Sequence, residues 1–164
     1  MQMKRPNLDV PWITEKGFFD PAQFPIDAVL KQALSDDPQE FRSAVGLLRS
    51  MSDHGRNEAG IFLLGLLISR GDDWEDREVI VRALLDVKTQ SCADLLFGEL
   101  TRVKSTNTTR RYLRAVIDTL SAMPPALVRS GFENLAENKS FTHRMRTIFK
   151  NVLDQMDYGE LRGY

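Results

Sequence analysis

The segment Val81-Arg82-Ala83-Leu84-Leu85 returns 32 residues later as Leu113-Arg114-Ala115-Val116-Ile117, and after the same interval as Met145-Arg146-Thr147-Ile148-Phe149. A fixed period of this size, carried by helix-spaced apolar residues, marks a stacked helical-repeat array in which each unit buries its apolar face only against its neighbours. A second set keeps the same interval: Leu63, Leu95 and Leu127; Leu64, Leu96 and Val128; Ile68, Leu100 and Phe132. Two helices therefore repeat per unit, an A helix carrying the Leu63 series and a B helix carrying the Arg82 series. On the B helices, Leu113, Val116, Ile117 and Leu120 follow the i, i+3, i+4, i+7 spacing of one buried face, as do Met145, Ile148, Phe149 and Val152. The earlier copy, Val81, Leu84 and Leu85, ends in Lys88 instead.

Local chemistry places the helices. A short helix is predicted from Ile26 to about Ser35, then a long one over 38–53, with Asp37 as N-cap, Pro38 at the first helical position and Gly55 as the stop. The next A helix runs from about Asn57 to Ser69 and its B helix from Trp74 to about Val87. A third pair covers about 91–103 and 108–123, and Pro124 closes it. The fourth covers about 125–137 and 141–156, with Ser140 placed to cap its B helix. The interval from Arg42 to Arg82 is 40 residues rather than 32, an excess assigned to the longer helix that starts at Pro38. Gly60 and Gly65 are read as close-packing points in an A helix.

Residues 1–25 hold Pro6, Pro11, Pro21 and Pro25 among Trp12, Phe18, Phe19 and Phe24. Prolines at that density oppose regular helix, while so many aromatics are foreign to a disordered tail. An irregular arm laid over the first repeat as a cap is expected, with an arm that grips a partner as the alternative. Residues 157–164, with Gly159 and Gly163, are expected to fray.

Composition narrows the function. The chain has 42% hydrophobic and 27% charged residues, as in an ordinary globular protein, and its one cysteine, Cys92, excludes an internal disulfide or a cysteine metal cluster. Residues 1–20 lack the apolar core of a signal peptide, and the longest apolar run, 59–68, is half of a membrane span, so a cytoplasmic location is expected. Residues 1–100 carry 11 Lys and Arg against 17 Asp and Glu, while residues 101–164 carry 11 against 6. The array is acidic early and basic late.

The stretch Asp37-Pro38-Gln39-Glu40-Phe41-Arg42-Ser43-Ala44-Val45 resembles the turn and second helix of a HEAT repeat, an Asp-Pro turn leading into an apolar-Arg-x-Ala helix. The later units keep the apolar-Arg core at Val81-Arg82-Ala83, Leu113-Arg114-Ala115 and Met145-Arg146-Thr147 but lose the Asp-Pro. The resemblance spans residues 26–156 as about four degenerate repeats. It implies an all-α, right-handed α-α superhelix with the B helices lining the concave side. HEAT-like arrays serve mainly as protein-binding scaffolds, yet include bilin lyase subunits and a class of DNA glycosylases, so fold alone does not choose the activity.

The Arg82, Arg114 and Arg146 ladder is the clearest polar feature. Such arginines tie a B helix to an adjoining turn or unit, and Asp86 and Asp118, one turn on, are the partners at hand. The stripe beside the buried face reads Glu78, Arg82, Asp86, then Arg110, Arg114, Asp118, then Thr142, Arg146, Lys150. With Arg111 and Arg144, the last two B helices set a positive field on the concave wall, suited to an acidic protein segment or a phosphate backbone. The competing reading is a solvated helix face.

Asp72, Asp73, Glu75, Asp76 and Glu78 surround Trp74 without the spacing of an EF-hand and read as helix-start carboxylates; a base-stacking Trp74 beside a carboxylate is the weaker alternative. His54 and His143 are too far apart for an acid-base or metal site, and no GxGxxG, Walker A, GxSxG or HExxH occurs. The expected function is a non-enzymatic protein-interaction module, without metal or cofactor, in which Arg110, Arg111, Arg114, Arg144, Arg146 and Lys150 bind an acidic partner. Nucleic-acid binding by the same residues, an enzyme subunit resembling the bilin lyases, and self-association of acidic and basic ends are the alternatives.

Overall fold

The computed structural model describes residues 11–162, and these form an all-α chain of eight helices: α1 (Ile26–Ala33), α2 (Pro38–Asp53), α3 (Asn57–Ser69), α4 (Trp74–Ala83), α5 (Gln90–Arg102), α6 (Arg110–Ser121), α7 (Pro125–Glu137) and α8 (His143–Arg162). None of them is long and apolar enough to cross a membrane. Packing divides the chain into two compact units, one through Ser69 and one from Arg70.

In the first unit α2 packs on α1 and α3. Asp37 caps α2, its carboxylate accepting from the Gln39 amide at 2.9 Å, and Gly55 ends the turn after it at φ 92°, where a Cβ would be strained. Phe41, Ala44, Val45, Leu48 and Met51 form the buried face of α2. The predicted arm is irregular across 11–25, folding back through a single antiparallel bridge between Ile13 and Phe19 with Gly17 at φ 85°. It is tied down by edge contacts of Phe24 with Trp12 and Phe19, at 5.5 and 5.3 Å, and by the Arg56 guanidinium donating to the Phe24 carbonyl. Residues 1–10 of that arm lie outside the described residues. In α3, Gly60 is buried, but Gly65 is exposed with open space around it, so the close-packing role predicted for Gly65 does not hold. Ile68 of the A series is likewise 69% exposed.

In the second unit the packing order is consistent with a repeat. There α4 packs against α6 and α5 against α7, while α5 meets α6 and α7 meets α8. Side chains of the 32-residue series supply the contacts: Val81, Leu84, Leu113, Val116, Leu96, Leu100, Val128 and Phe132 are all buried. Thr119 adds a polar tie, its buried hydroxyl donating to the Ala115 carbonyl at 2.9 Å and to the Val81 carbonyl of α4 at 3.3 Å. Met145 and Ile148 are only half-buried.

Helix ends of α4 and α8 differ from the sequence expectation in ways that have a visible cause. α4 stops at Ala83, where Leu84 and Val87 turn to i−3 carbonyls, a tightening that leaves Asp86 off the helix that carries Arg82. α8 is capped by Thr142, whose hydroxyl accepts from the Met145 amide at 3.2 Å, while Ser140 bonds Asn138 instead. Finally, α8 continues to Arg162 rather than fraying after Met156, because Arg129 of α7 holds its last turns through Asp157 at 2.7 Å and Glu160 at 2.6 Å.

Gly131 is the tight point between α5 and α7, since a Cβ there would lie 2.4 Å from the Phe97 ring. Gly131→Ala is expected to cost about 1 to 3 kcal/mol through this overpacking, despite the gain in helix propensity. Urea unfolding of the intact chain measures it, and an alanine variant as stable as the parent would contradict the contact.

Candidate partner-binding groove

The site grows from the periodicity of α6. Arg110, Leu113, Arg114, Ile117, Asp118 and Ser121 recur at i, i+3, i+4, i+7, i+8 and i+11, so they share one face of the helix. Arg144, Met145, Ile148, Asn151, Val152 and Gln155 do the same on α8. The two faces line a groove of about 430 Å³, with Leu113, Ile117, Met145, Ile148 and Val152 as its apolar surface and the arginines at its rim. At one end Ser121 and Met123 stand beside Val152, Gln155 and Met156, so α6 and α8 run in the same direction and Arg110 and Arg144 share the opposite end.

The loop before α6 fixes that end. The buried Thr109 hydroxyl donates to the Lys104 carbonyl at 2.6 Å and accepts from the Thr106 amide at 2.8 Å, so Arg110 leaves a pinned turn. Neither α6 nor α8 has an acidic residue in its first turn, unlike α1 through α4. The positive end of each macrodipole, roughly half a unit charge, is thus reinforced by arginine instead of offset by carboxylate.

The six predicted residues separate into two groups. Arg110, Arg114 and Arg144 come together at the groove. Arg111 instead points toward α4, where it approaches the Glu78 carboxylate at 3.4 Å with its side chain 85% exposed. On α8, Arg146 lies about 160° round the helix from Ile148, and Lys150 follows it one turn later. The Arg146 Nε is buried without a hydrogen-bond partner among the described residues, while Lys150 is exposed.

The arginine ladder likewise does not act as a set of equivalents. Arg82 donates to Glu78 of its own helix at 3.0 and 3.1 Å, one turn earlier, and Arg114 makes no ion pair with Asp118 among the described residues. The groove gathers three guanidiniums that sit in no ion pair among the described residues. Arg49, Arg56, Arg70, Arg77, Arg82, Arg102, Arg111 and Arg129 all sit in ion pairs, whereas Arg110, Arg114 and Arg144, like Arg42 and Arg146 elsewhere, sit in none among the described residues. Among the described residues the Arg110 side chain bonds only Asn107, at 3.3 Å.

Sequence reasoning missed a buried polar network behind the groove. Glu99 of α5 accepts from Arg77 of α4 at 2.7 Å, from the Tyr112 hydroxyl of α6 at 2.5 Å and from Arg102 at 3.0 Å. Arg77 also lies 5.5 Å from the Tyr112 ring centre and donates to the Arg70 carbonyl at 2.9 Å. Burial raises the Glu99 carboxyl, but its bonds to Arg102, Tyr112 and Arg77 outweigh that and hold it below the usual carboxylate range. Burial, then the bond to Glu99, pushes the Tyr112 hydroxyl well above its ordinary value. These groups bond one another and none of them lines the groove, so the cluster is structural. It fixes α6 against α4 and α5, and so fixes the wall that carries Arg110 and Arg114.

The acidic residues around Trp74 are accounted for by the same logic. Asp73 caps α4 by accepting from the Asp76 amide at 3.1 Å, Asp76 pairs with Arg70 at 2.9 Å, and Asp72 approaches Arg102 at 3.5 Å. Trp74 stacks against Tyr112 rather than offering a free ring. Cys92 is fully buried and its thiol is pushed up to about 12 by burial, which removes it as a nucleophile at neutral pH. Among the described residues no three His, Cys, Asp or Glu side chains converge as a metal site. No protein-family model, curated protein or solved structure matches the chain.

Proposed function

We propose that this chain is a HEAT-like interaction module that binds another protein without catalysing a reaction, seating an acidic segment of its partner in the groove between α6 and α8. One observation carries the reading: three guanidiniums outside any ion pair among the described residues, around an apolar floor, in a protein whose other described arginines are mostly paired. Unpaired arginine beside apolar side chains, of which Met145 and Ile148 are half-buried, is what a protein interface enriched in arginine and depleted in lysine presents before it is filled. The HEAT-like assignment draws on the 32-residue interval together with the packing of α4 on α6 and α5 on α7. A right-handed superhelix and a cytoplasmic setting belong to the same proposal.

The remaining charges Arg111, Arg146 and Lys150 have a lesser part in it, as a field that speeds encounter. Glu substitution of Arg114 and Arg144 together is therefore the discriminating change. Capture from a lysate of the native cell should lose at least about tenfold of whatever the parent retains, since like charge at an interface costs several kcal/mol. Thermal unfolding should move by no more than about 4 °C, because both positions are at the surface. If the doubly reversed protein retains the same partners, the groove is not the binding surface.

A further inference from the structure

The charge of the groove is polarised along its length, and that polarity constrains its occupant. Arg110, Arg114 and Arg144 gather where α6 and α8 begin, alongside two uncompensated helix N-termini. The far end offers only Ser121, Asn151 and Gln155, with Asp118 in between. From Arg110 to Ser121 the wall rises about 16 Å, three turns of helix.

Both walls are helices, whose backbone groups bond internally and present side chains rather than an open edge. An extended peptide here would leave its own amides and carbonyls facing apolar side chains without partners. A helix brings its backbone already satisfied and lays anchors at i, i+3, i+4 and i+7 into the groove. The charge then sets its direction, because the negative end of its macrodipole and any carboxylates beside it belong at the arginine end.

Resting on the reading of this groove as the partner site, we infer that the occupant is an amphipathic helix of about three turns. It docks antiparallel to α6 and α8, with Asp or Glu in its C-terminal turn over Arg110, Arg114 and Arg144.

The probe is a displayed library of random peptides about 16 residues long, enough to span the groove with a turn to spare, selected against the full chain. The selected peptides should carry apolar residues at helical spacing and acidic residues in the last turn. By fluorescence anisotropy, moving the acids to the first turn should weaken binding at least about tenfold, as should Glu substitution of Arg114 with Arg144. Selected sequences that alternate with period two, or that tolerate the acids at either end, overturn the helix and its direction. If such peptides still require Arg114 and Arg144, the acidic-partner reading survives that loss. Selected peptides indifferent to both arginines, or no enrichment at all, overturn the inference and the groove with it. Displacement of the selected peptides by a duplex of about 20 base pairs, with affinity falling steeply in salt, overturns it in favour of nucleic acid.

Discussion

Glu99→Ala is expected to destabilise the chain by about 3 to 5 kcal/mol, the largest loss of any single polar substitution, because it strands Arg77 in the interior. Arg77 is 3% exposed and Glu99 6%, so water cannot replace the lost carboxylate, and the Tyr112 hydroxyl loses its acceptor in the same step. The melting temperature should fall by about 6 to 20 °C. The penalty belongs to the orphaned charge more than to the bond itself, so the pair Arg77→Met with Glu99→Leu should recover a large part of it. A fall of less than about 1 kcal/mol for the alanine variant would mean that the network is not closed as described.

The same carboxylate gives the protein an acid limb. Glu99 is held below its unfolded-state value, so its contribution is fully present above the ordinary glutamate range near pH ~4.3 and is lost as pH falls through the lower folded value. Glu99→Gln should therefore be less stable than the parent at neutral pH, with the difference narrowing below about pH 4. Urea midpoints across pH 3 to 7 would show it, and a gap that stays constant with pH would assign the acid limb to other groups.

How much of this was visible in the chain depends on where the determining contact sits. α2, α3 and α7 begin and end where Asp37-Pro38, Gly55 and Pro124-Pro125 place them, since caps and prolines act within a few residues. The end of α4 and the extent of α8 were not legible, because a turn to i−3 carbonyls sets one and Arg129, 28 and 31 residues upstream of its partners, sets the other. Apolar periodicity identified both walls of the groove. It could not separate Arg110 from Arg111, which are neighbours in sequence but stand about 100° apart on α6, one toward α8 and one toward α4. The network around Glu99 joins three helices through residues 13 and 22 positions apart, a pattern with no local period to betray it.

Phe132→Ala carries the second large effect, and it connects the core to the groove. Phe132 is fully buried and meets Phe97 of α5 edge-on at 5.2 Å, while its other side lies 6.2 Å from Phe149 of α8, which in turn meets Phe141 at 5.3 Å. Alanine leaves a cavity between three elements that are themselves held by helices and cannot collapse fully, a loss of about 3 to 5 kcal/mol. Phe132→Leu, which refills most of that volume, should lose about half as much. Because Phe149 is the most buried anchor of α8, the cavity should loosen that helix before it loosens α4, raising amide hydrogen exchange across 143–156 first. Partner affinity should fall with it, since Arg144 and the apolar face from Met145 to Val152 ride on α8. Unchanged exchange in α8, with stability lost evenly across the chain, would show that the groove is held by something other than this aromatic stack.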